Sequence, residues 1–284
     1  MDAPRCGSLA LLLLAVYALV GGVSSFIGWY ADVPRLTDWL ATGISIQPNA
    51  AIAVTIAAIG LLLFRFGFRR SGGAVGVVVA AIGATVLIEY ATGIDLGIDR
   101  LFVFDRAWGS LGVVAPGRMG PPGAISWTLL GLAMMFASSS STRRWRRAMA
   151  PALSLLAMSI ASLTLLGYLY GVTALYTVPL VTIIALQTST FILAVSIGVT
   201  IAVPDRAPMR IVNDTSPAGA LVRRILPAVI VVPIVLGVLR LWGEQGGLYD
   251  LATGTASRTM AEIILLSALL WWAAATIGKQ AEAR

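Results

Sequence analysis

The chain has 284 residues, of which 58% are hydrophobic and 12% are charged, and its mean hydropathy is +0.89. Soluble proteins carry about 25% charged residues, so this composition excludes a water-soluble domain and indicates an integral membrane protein. The formal net charge of +7 comes from 20 Lys and Arg against 13 Asp and Glu. In a membrane protein such an excess reports orientation, and we expect no nucleic-acid partner.

Apolar stretches follow one another along the chain and predict an all-α, polytopic bundle of about eight transmembrane helices, forming a single domain over 1–284. A helix needs about 20 apolar residues to cross about 30 Å of hydrocarbon. The predicted spans are 9–27, 44–64, 72–88, 122–136, 148–170, 183–203, 225–241 and 263–277. The fifth and sixth are separated at Gly171 and Pro179, because turn residues interrupt a long uncharged run; seven spans is the alternative.

The distribution of basic residues predicts the orientation. With the N-terminus in the cytoplasm, 14 of the 20 basic residues fall inside, as expected because Lys and Arg favour cytoplasmic loops. Both termini are then cytoplasmic. A cleaved signal peptide is a second interpretation of the first span, because Arg5 precedes the apolar run 9–20; residues 23–25 form a poor cleavage site.

Three even-numbered spans open on a related pattern of a turn residue, a small or polar residue, an apolar run and a glycine. The pattern runs from Pro48 to Gly60, from Pro122 to Gly131 and from Ser189 to Gly198. It predicts repeated helical hairpins. Ordinary small-residue packing between membrane helices is the alternative.

The segment 89–121, between the third and fourth spans, is the longest predicted external loop and has the densest charge. The candidate sensing loop consists of Glu89, Asp95, Asp99, Arg100, Asp105, Arg106 and Arg118. The three aspartates are potential calcium ligands, but their spacing lacks the alternation of an EF-hand loop. The other interpretation is that these charges pair with one another and cap the helix ends.

Reactive chemistry is scarce. The chain has no His and a single cysteine, Cys6, so the commonest general base and metal ligand is missing and no intramolecular disulfide can form. We expect no metal ion, no cofactor and no catalytic residue.

Two long stretches carry a family resemblance. The first reads EYATGIDLGIDRL at 89–101 and GRMGP at 117–121, and it is similar to the N-terminal membrane region of certain bacterial sensor histidine kinases and diguanylate cyclases. The second reads LRLWGEQGGLYD at 239–250 and GTA at 254–256, and it resembles the loop before the last membrane helix of the same regions. Trp271 and Trp272 resemble the end of that helix.

The resemblance implies a signal-input module that acts through its last helix on cytoplasmic PAS, kinase or cyclase domains. The sequence has no phosphoacceptor His and no Gly-Gly-Asp-Glu-Phe motif, so the resemblance implies no enzymatic activity for this chain. We expect a module of the bacterial inner membrane, surrounded by the lipid bilayer and read by a cytoplasmic or membrane signalling partner. The sequence leaves open whether the module forms a homodimer.

Four charged residues bracket the last two predicted spans and are candidates for coupling. They are Arg240, Glu244, Asp250 and Glu262. A small transporter or channel is the alternative function. No charge is expected at the midplane of any span, whereas ion-coupled transporters commonly place one there.

Overall fold

The computed structural model describes residues 5–99, 104, 106, 108–111, 113–139, 144–172 and 184–282, with the backbone alone at 5–8, 144 and 274–282. The predicted site residues Arg100 and Asp105 lie outside this set. All regular secondary structure in the described residues is helical, which confirms the all-α class. The chain divides into two compact units, 1–207 and 208–284, which we describe separately. The single domain stays a prediction.

The described part of the first unit contains a short 3-10 turn at Pro34–Leu36 and six long helices. They are α1 Arg5–Tyr30, α2 Pro48–Arg65, α3 Arg69–Thr92, α4 Pro121–Ser138, α5 Arg144–Tyr170 and α6 Leu186–Ile201. Sequence neighbours pack as three hairpins, α1 with α2, α3 with α4 and α5 with α6. This arrangement agrees with the predicted repeat of helical hairpins.

Helices α2, α4 and α6 contact one another and form an inner bundle. Each outer helix packs between two inner ones: α1 on α2 and α6, α3 on α2 and α4, and α5 on α4 and α6. Most residues of α2 and α6 and half of those of α4 are buried, so the inner helices have little exposed surface. Large side chains such as Trp127, Leu130 and Leu61 on these helices are fully buried. The first unit therefore has a pseudo-threefold arrangement with a filled centre.

The repeat has a different register from the predicted one. Helix α2 begins at Pro48 and α6 at Leu186, so Gly60 and Gly198 each lie twelve residues after the start, from 48 to 60 and from 186 to 198. Helix α4 begins at Pro121, so its equivalent position is Ala133. The helix starts thus align Leu186 with Pro48 and Ala133 with Gly60, whereas the sequence pattern matched Ser189 with Pro48 and Gly131 with Gly60.

Ile44–Gln47, the first four residues of the second predicted span, are not helical. Ile44 and Ile46 are buried, but Gln47 has an extended backbone and Pro48 opens the helix. Proline is favoured at the first helical position because its missing N–H has no partner there. The apolar character of this segment reflects burial in the connection from α1.

Glycines bring α3 and α4 into backbone contact. A Cβ at Gly131 of α4 would overlap the amide nitrogen of Ala80 and the carbonyl oxygen of Gly76 in α3. At Gly83 a Cβ would lie 2.6 Å from the carbonyl oxygen of Ala124. Small residues at membrane-helix interfaces permit this close approach, and here the contacting atoms are backbone that no side-chain rotation can move.

In the second unit, a short helix α7, Met209–Val212, precedes two long helices, α8 Pro217–Gln245 and α9 Leu251–Glu282. Helix α8 is continuous through Pro227 and Pro233. The turn between α8 and α9 uses Gly247 at a φ of 70°, a backbone conformation that favours glycine. Helices α8 and α9 pack as a hairpin.

Within the residues that the structure describes, five helical segments are long and apolar enough to cross a membrane. They are Leu9–Tyr30, Pro48–Arg65, Arg69–Thr92, Trp145–Tyr170 and Pro217–Gln245. Leu186–Ile201 is a shorter apolar helix. The outer helices also expose large apolar side chains, among them Leu13, Val77 and Leu163, which is compatible with lipid contact. The protein is therefore of the helical membrane type, and the count of eight spans stays a prediction.

The α3–α4 contact predicts unequal costs for two glycine substitutions in one helix. Gly131→Ala should destabilise the protein by about 2 kcal/mol, because overpacking against fixed atoms costs about 1–3 kcal/mol. Gly123→Ala is the matched control, since its Cβ would approach Met119 no closer than 3.9 Å. Thermal unfolding in detergent measures both variants. Equal melting temperatures would contradict the described contact.

Candidate functional site

The connections around the helix ends form one end of the first unit, which we call the loop end. It comprises the described residues of 29–50, 89–99, 104–123 and 184–188. In the predicted orientation this end faces outside the cell. It contains all five of the candidate sensing residues that the structure describes.

The first turns of α2, α4 and α6 surround a small cavity, here called the axial cavity. Three pairs of equivalent residues line it: Gln47 and Ala50, Gly120 and Gly123, and Ala185 and Thr188. Each pair consists of the residue before the helix and the third residue within it. This equivalence is independent support for the repeat register given above. Arg118 also lines the cavity.

Arg118 lies between two buried carboxylates. Its Nη2 atom is 3.1 Å from Oε2 of Glu89, and its Nε atom donates a short hydrogen bond to Oδ2 of Asp99. The exposed fractions of the three side chains are 11% for Arg118, 0% for Glu89 and 3% for Asp99. Oε2 of Glu89 accepts no hydrogen bond, so its contact with Arg118 is an ion pair. Two carboxyl groups thus share one guanidinium.

Groups from other elements complete this network. Asn49, in the first turn of α2, donates from Nδ2 to Oδ1 of Asp99 at 3.0 Å. The backbone N–H of Leu96 donates to Oε1 of Glu89 at 2.9 Å. The guanidinium carbon of Arg118 lies 5.7 Å from the centre of the Tyr90 ring, within the range of a cation–π contact. We call Asn49, Glu89, Tyr90, Asp99 and Arg118 the buried network.

Arg118 keeps its charge in this setting. Burial by itself lowers the pKa of Arg118, but the hydrogen bond and charge of Asp99 and the charge of Glu89 raise that pKa above its ordinary value. Removing one member of a buried ion pair costs about 3–5 kcal/mol, because its partner stays buried without compensation. The network therefore fixes the loop to α2, α3 and the start of α4.

Arg118→Ala should lower the free energy of unfolding by about 3 kcal/mol, because two buried carboxylates lose their counter-charge. Arg35→Ala is the control, since exposed Arg35 donates only to the carbonyl of Trp39 in the hydrogen bonds described; it should change stability by less than about 0.5 kcal/mol. Chemical unfolding in mild detergent measures the difference. Similar effects of the two substitutions would refute the role given to Arg118.

The other predicted loop residues have separate positions. Asp95 accepts the N–H of Gly97 at 2.8 Å in its own turn. Arg106 pairs with Asp32 at 3.2 Å and donates to the carbonyl of Tyr30 at 3.0 Å. Thus several loop charges pair, as one of the two interpretations of the sequence expected. The described residues contain no group of three or more Asp, Glu or Cys placed to hold a metal ion.

Sequence reasoning missed Asp32, Gln47 and Asn49. Asp32 and Gln47 lie outside the segment of densest charge, and Asn49 is a single amide in an apolar run. The one available signal was the position of Gln47 and Asn49 around Pro48, where a helix start predicts polar groups near exposed backbone N–H groups.

The four predicted coupling residues belong to the second unit and form separate contacts. Arg240 and Glu244 pair at 2.9 Å, while Glu262 pairs with Arg258 at 2.7 Å. Asp250 accepts the N–H of Thr253 at 2.8 Å and caps α9. Glu262 lies well inside α9, because this helix begins at Leu251, before the predicted span. The structure therefore brings together only Arg240 and Glu244 of the four.

The cap at Asp250 predicts a pH effect on the start of α9. Side-chain and backbone hydrogen bonds with Thr253 lower the pKa of Asp250. Its contribution is therefore present above the ordinary aspartate pKa and is lost as the pH falls through the lowered value.

Asp250→Ala should accelerate hydrogen exchange of the Thr253 amide at neutral pH, whereas Asp250→Asn should retain most protection, because an amide oxygen can also cap a helix. Exchange followed by mass spectrometry at neutral and acidic pH measures this. Equal protection in wild type and Asp250→Ala at neutral pH would exclude the cap.

Comparisons with models of known protein families, with curated proteins and with solved structures gave no significant match. The fold and the site thus define a class, a helical protein of the membrane type with a buried ion-pair network at one end.

Proposed function

We propose that the chain is a signal-input module embedded in the bacterial inner membrane, with eight spans and both termini in the cytoplasm. In this proposal it corresponds to the N-terminal membrane regions of the sensor histidine kinases and diguanylate cyclases that it resembles, and it has no kinase or cyclase activity of its own. The observation that carries the proposal is the buried network, which ties an external loop to three helices of the bundle.

The network supports coupling because its members come from different elements. Glu89 lies at the end of α3, Asn49 begins α2, and Arg118 lies three residues before α4. A displacement of Asp99 in the loop must either carry these helix ends with it or break a buried ion pair, which is costly. A stimulus that moves the loop is thereby converted into a movement of α2, α3 and α4.

The opposite end of the first unit supports transmission along the inner helices. Arg69, at the start of α3, donates to the carbonyl oxygen of Ala137 at 2.6 Å and to that of Ala202 at 3.5 Å. These carbonyls are at the C-terminal ends of α4 and α6, where the helix dipole favours a cation. Arg69 thus links the ends of α4 and α6 at the end of the unit opposite the buried network. Cytoplasmic readout is then assigned to a signalling partner that contacts the last helix.

A transporter or channel is the second candidate, and the packing of the first unit argues against it. Leu61, Trp127 and Leu130, on the inner helices, have no exposed surface and belong to the hydrophobic core of the first unit. Substrate or ion passage requires a polar pathway with a binding site near the midplane. Uptake of substrates or ions into liposomes containing the purified protein would favour this alternative.

The proposal is tested by fusing a diguanylate cyclase domain to the C-terminus and measuring cyclic dinucleotide output in cells. Combined alanine substitution of Arg240, Glu244, Asp250 and Glu262 should change output by about fivefold or more at equal abundance, the lower range of allosteric coupling. Combined Gln245→Ala and Ser257→Ala is the control, because both side chains are exposed. Unchanged output in the fourfold variant would overturn the coupling assignment.

The mass of the native product separates two forms of this function. A chromosomal N-terminal tag and a denaturing gel of membranes would show a band near 29.7 kDa for a module that acts on a separate partner. A much larger band would mean that the output domain is on the same polypeptide.

A further inference from the structure

A second cavity lies at the loop end, between the turn after α1 and the loop before α4. Its volume is about 190 Å³, and its walls include the rings of Trp29, Phe104 and Trp108 and the polar side chains of Gln47 and Arg106. We call it the aromatic cavity. An engineered apolar cavity of about 150 Å³ binds benzene, so the aromatic cavity has room for a single six-membered ring.

The aromatic walls present faces and edges. The ring centres of Trp29 and Trp108 are 4.6 Å apart with an angle of 29° between planes, and Phe104 lies 6.4 Å from Trp29 at 23°. Both indole N–H groups already have acceptors, the carbonyl of Ile46 at 2.6 Å for Trp29 and the carboxylate of Asp32 at 2.7 Å for Trp108. The rings therefore recognise shape and π-electron density through stacked or edge-to-face contacts.

The charge in the cavity wall excludes cationic ligands and adds little affinity for anionic ones. Arg106 is held by Asp32 at 3.2 Å and by the carbonyls of Tyr30 at 3.0 Å and Trp29 at 3.3 Å. Its positive charge repels a cationic ligand. Because Asp32 already balances that charge, an anionic ligand gains little. An uncharged ring fits these conditions best.

The cavity walls are fixed in place. Asp32 has a φ of 60°, which few non-glycine residues adopt, and this conformation is held by its bonds to Arg106 and Trp108. Gly109 has a φ of 80° and lies so close to Trp29 that a Cβ would be 2.6 Å from the edge of the indole. The site is therefore formed before a ligand arrives, which reduces the cost of binding.

Two residues, Gln47 and Val113, line both this cavity and the axial cavity, and Gln47 adjoins an inner helix. Gln47 directly precedes α2. Its Nε2 atom donates to the carbonyl of Gly109 at 3.1 Å, which belongs to the wall of the aromatic cavity. A molecule in the aromatic cavity thus contacts the side chain at the beginning of an inner helix.

We propose that the aromatic cavity binds a small, uncharged, monocyclic aromatic molecule. In a second step, which rests on the proposed function, Gln47 passes the occupancy of the cavity to α2. The ligand-binding part of the inference stands independently of signalling.

The binding test uses the full chain in lipid nanodiscs and 4-fluorophenol as the probe, observed by fluorine NMR relaxation. Empty nanodiscs correct for partition into lipid. Val113 lines the cavity, so Val113→Phe should weaken binding by about tenfold or more, because filling a packed site costs about 1–3 kcal/mol. Val114→Phe is the matched control, since Val114 is 51% exposed and is not among the cavity-lining residues; it should bind as wild type does.

Competition tests the chemical class. Phenol should displace the probe at least about tenfold more effectively than cyclohexanol or benzylammonium. If Val113→Phe loses its helical circular dichroism, Ser110→Phe provides a second filling variant, because Ser110 also lines the cavity.

The proposal is overturned if wild-type nanodiscs bind no more probe than empty ones, if folded filling variants bind normally, or if cyclohexanol competes as well as phenol. Failure of the proposed function gives a different result. The wild-type chain then binds the probe and Val113→Phe does not, while the cyclase output of the fusion is the same with and without the probe. Conversely, output that depends on the four coupling residues without probe binding would refute the ligand assignment alone.

Discussion

The sharing of one guanidinium by two buried carboxylates constrains the loop end more than any other interaction there. Glu89 and Asp99 have almost no exposed surface, and a carboxylate in such a position is stable only with a counter-charge or donors. Arg118 supplies the charge, while Asn49 and the backbone of Leu96 supply donors. The end of α3, the loop and the starts of α2 and α4 are positioned accordingly, and Arg118 itself lines the axial cavity.

The sequence predicted the helical elements well, because a membrane helix contains a long apolar run that is visible in the sequence. It predicted their ends less well, and the reasons are local. Ile44 and Ile46 are apolar because they are buried in a connection, and residues 251–260 form a helix although they contain Thr, Ser and Arg. Hydropathy reports burial or lipid exposure, whereas a helix end depends on capping groups such as Asp250 and on prolines such as Pro48.

In the candidate site, too, the sequence located several residues but did not predict their contacts. Charge density along the chain identified Glu89, Asp99 and Arg118, but their mutual pairing depends on how the loop returns to the bundle. Asp32 and Asn49 reach the site across 76 and 50 residues of sequence, through Trp108 and Asp99 respectively. The position of Asn49 beside Pro48 predicts a polar group at a helix start, but a single sequence does not show which distant residue it contacts. The register of the repeat likewise became clear only from the equivalent residues around the axial cavity.

The ring of helices in the first unit also has a consequence for assembly. Most of its packing joins neighbours in the chain, so each hairpin can form soon after its two helices enter the bilayer. The contact of α1 with α6 is different: Tyr17 donates to Thr190 at 2.7 Å across 173 residues, and the ring of Phe191 packs where Gly21 has no side chain. One side of α1 therefore stays in contact with lipid or a chaperone until the α5–α6 hairpin is synthesised. The packing of α6 against α1 then closes the ring of helices.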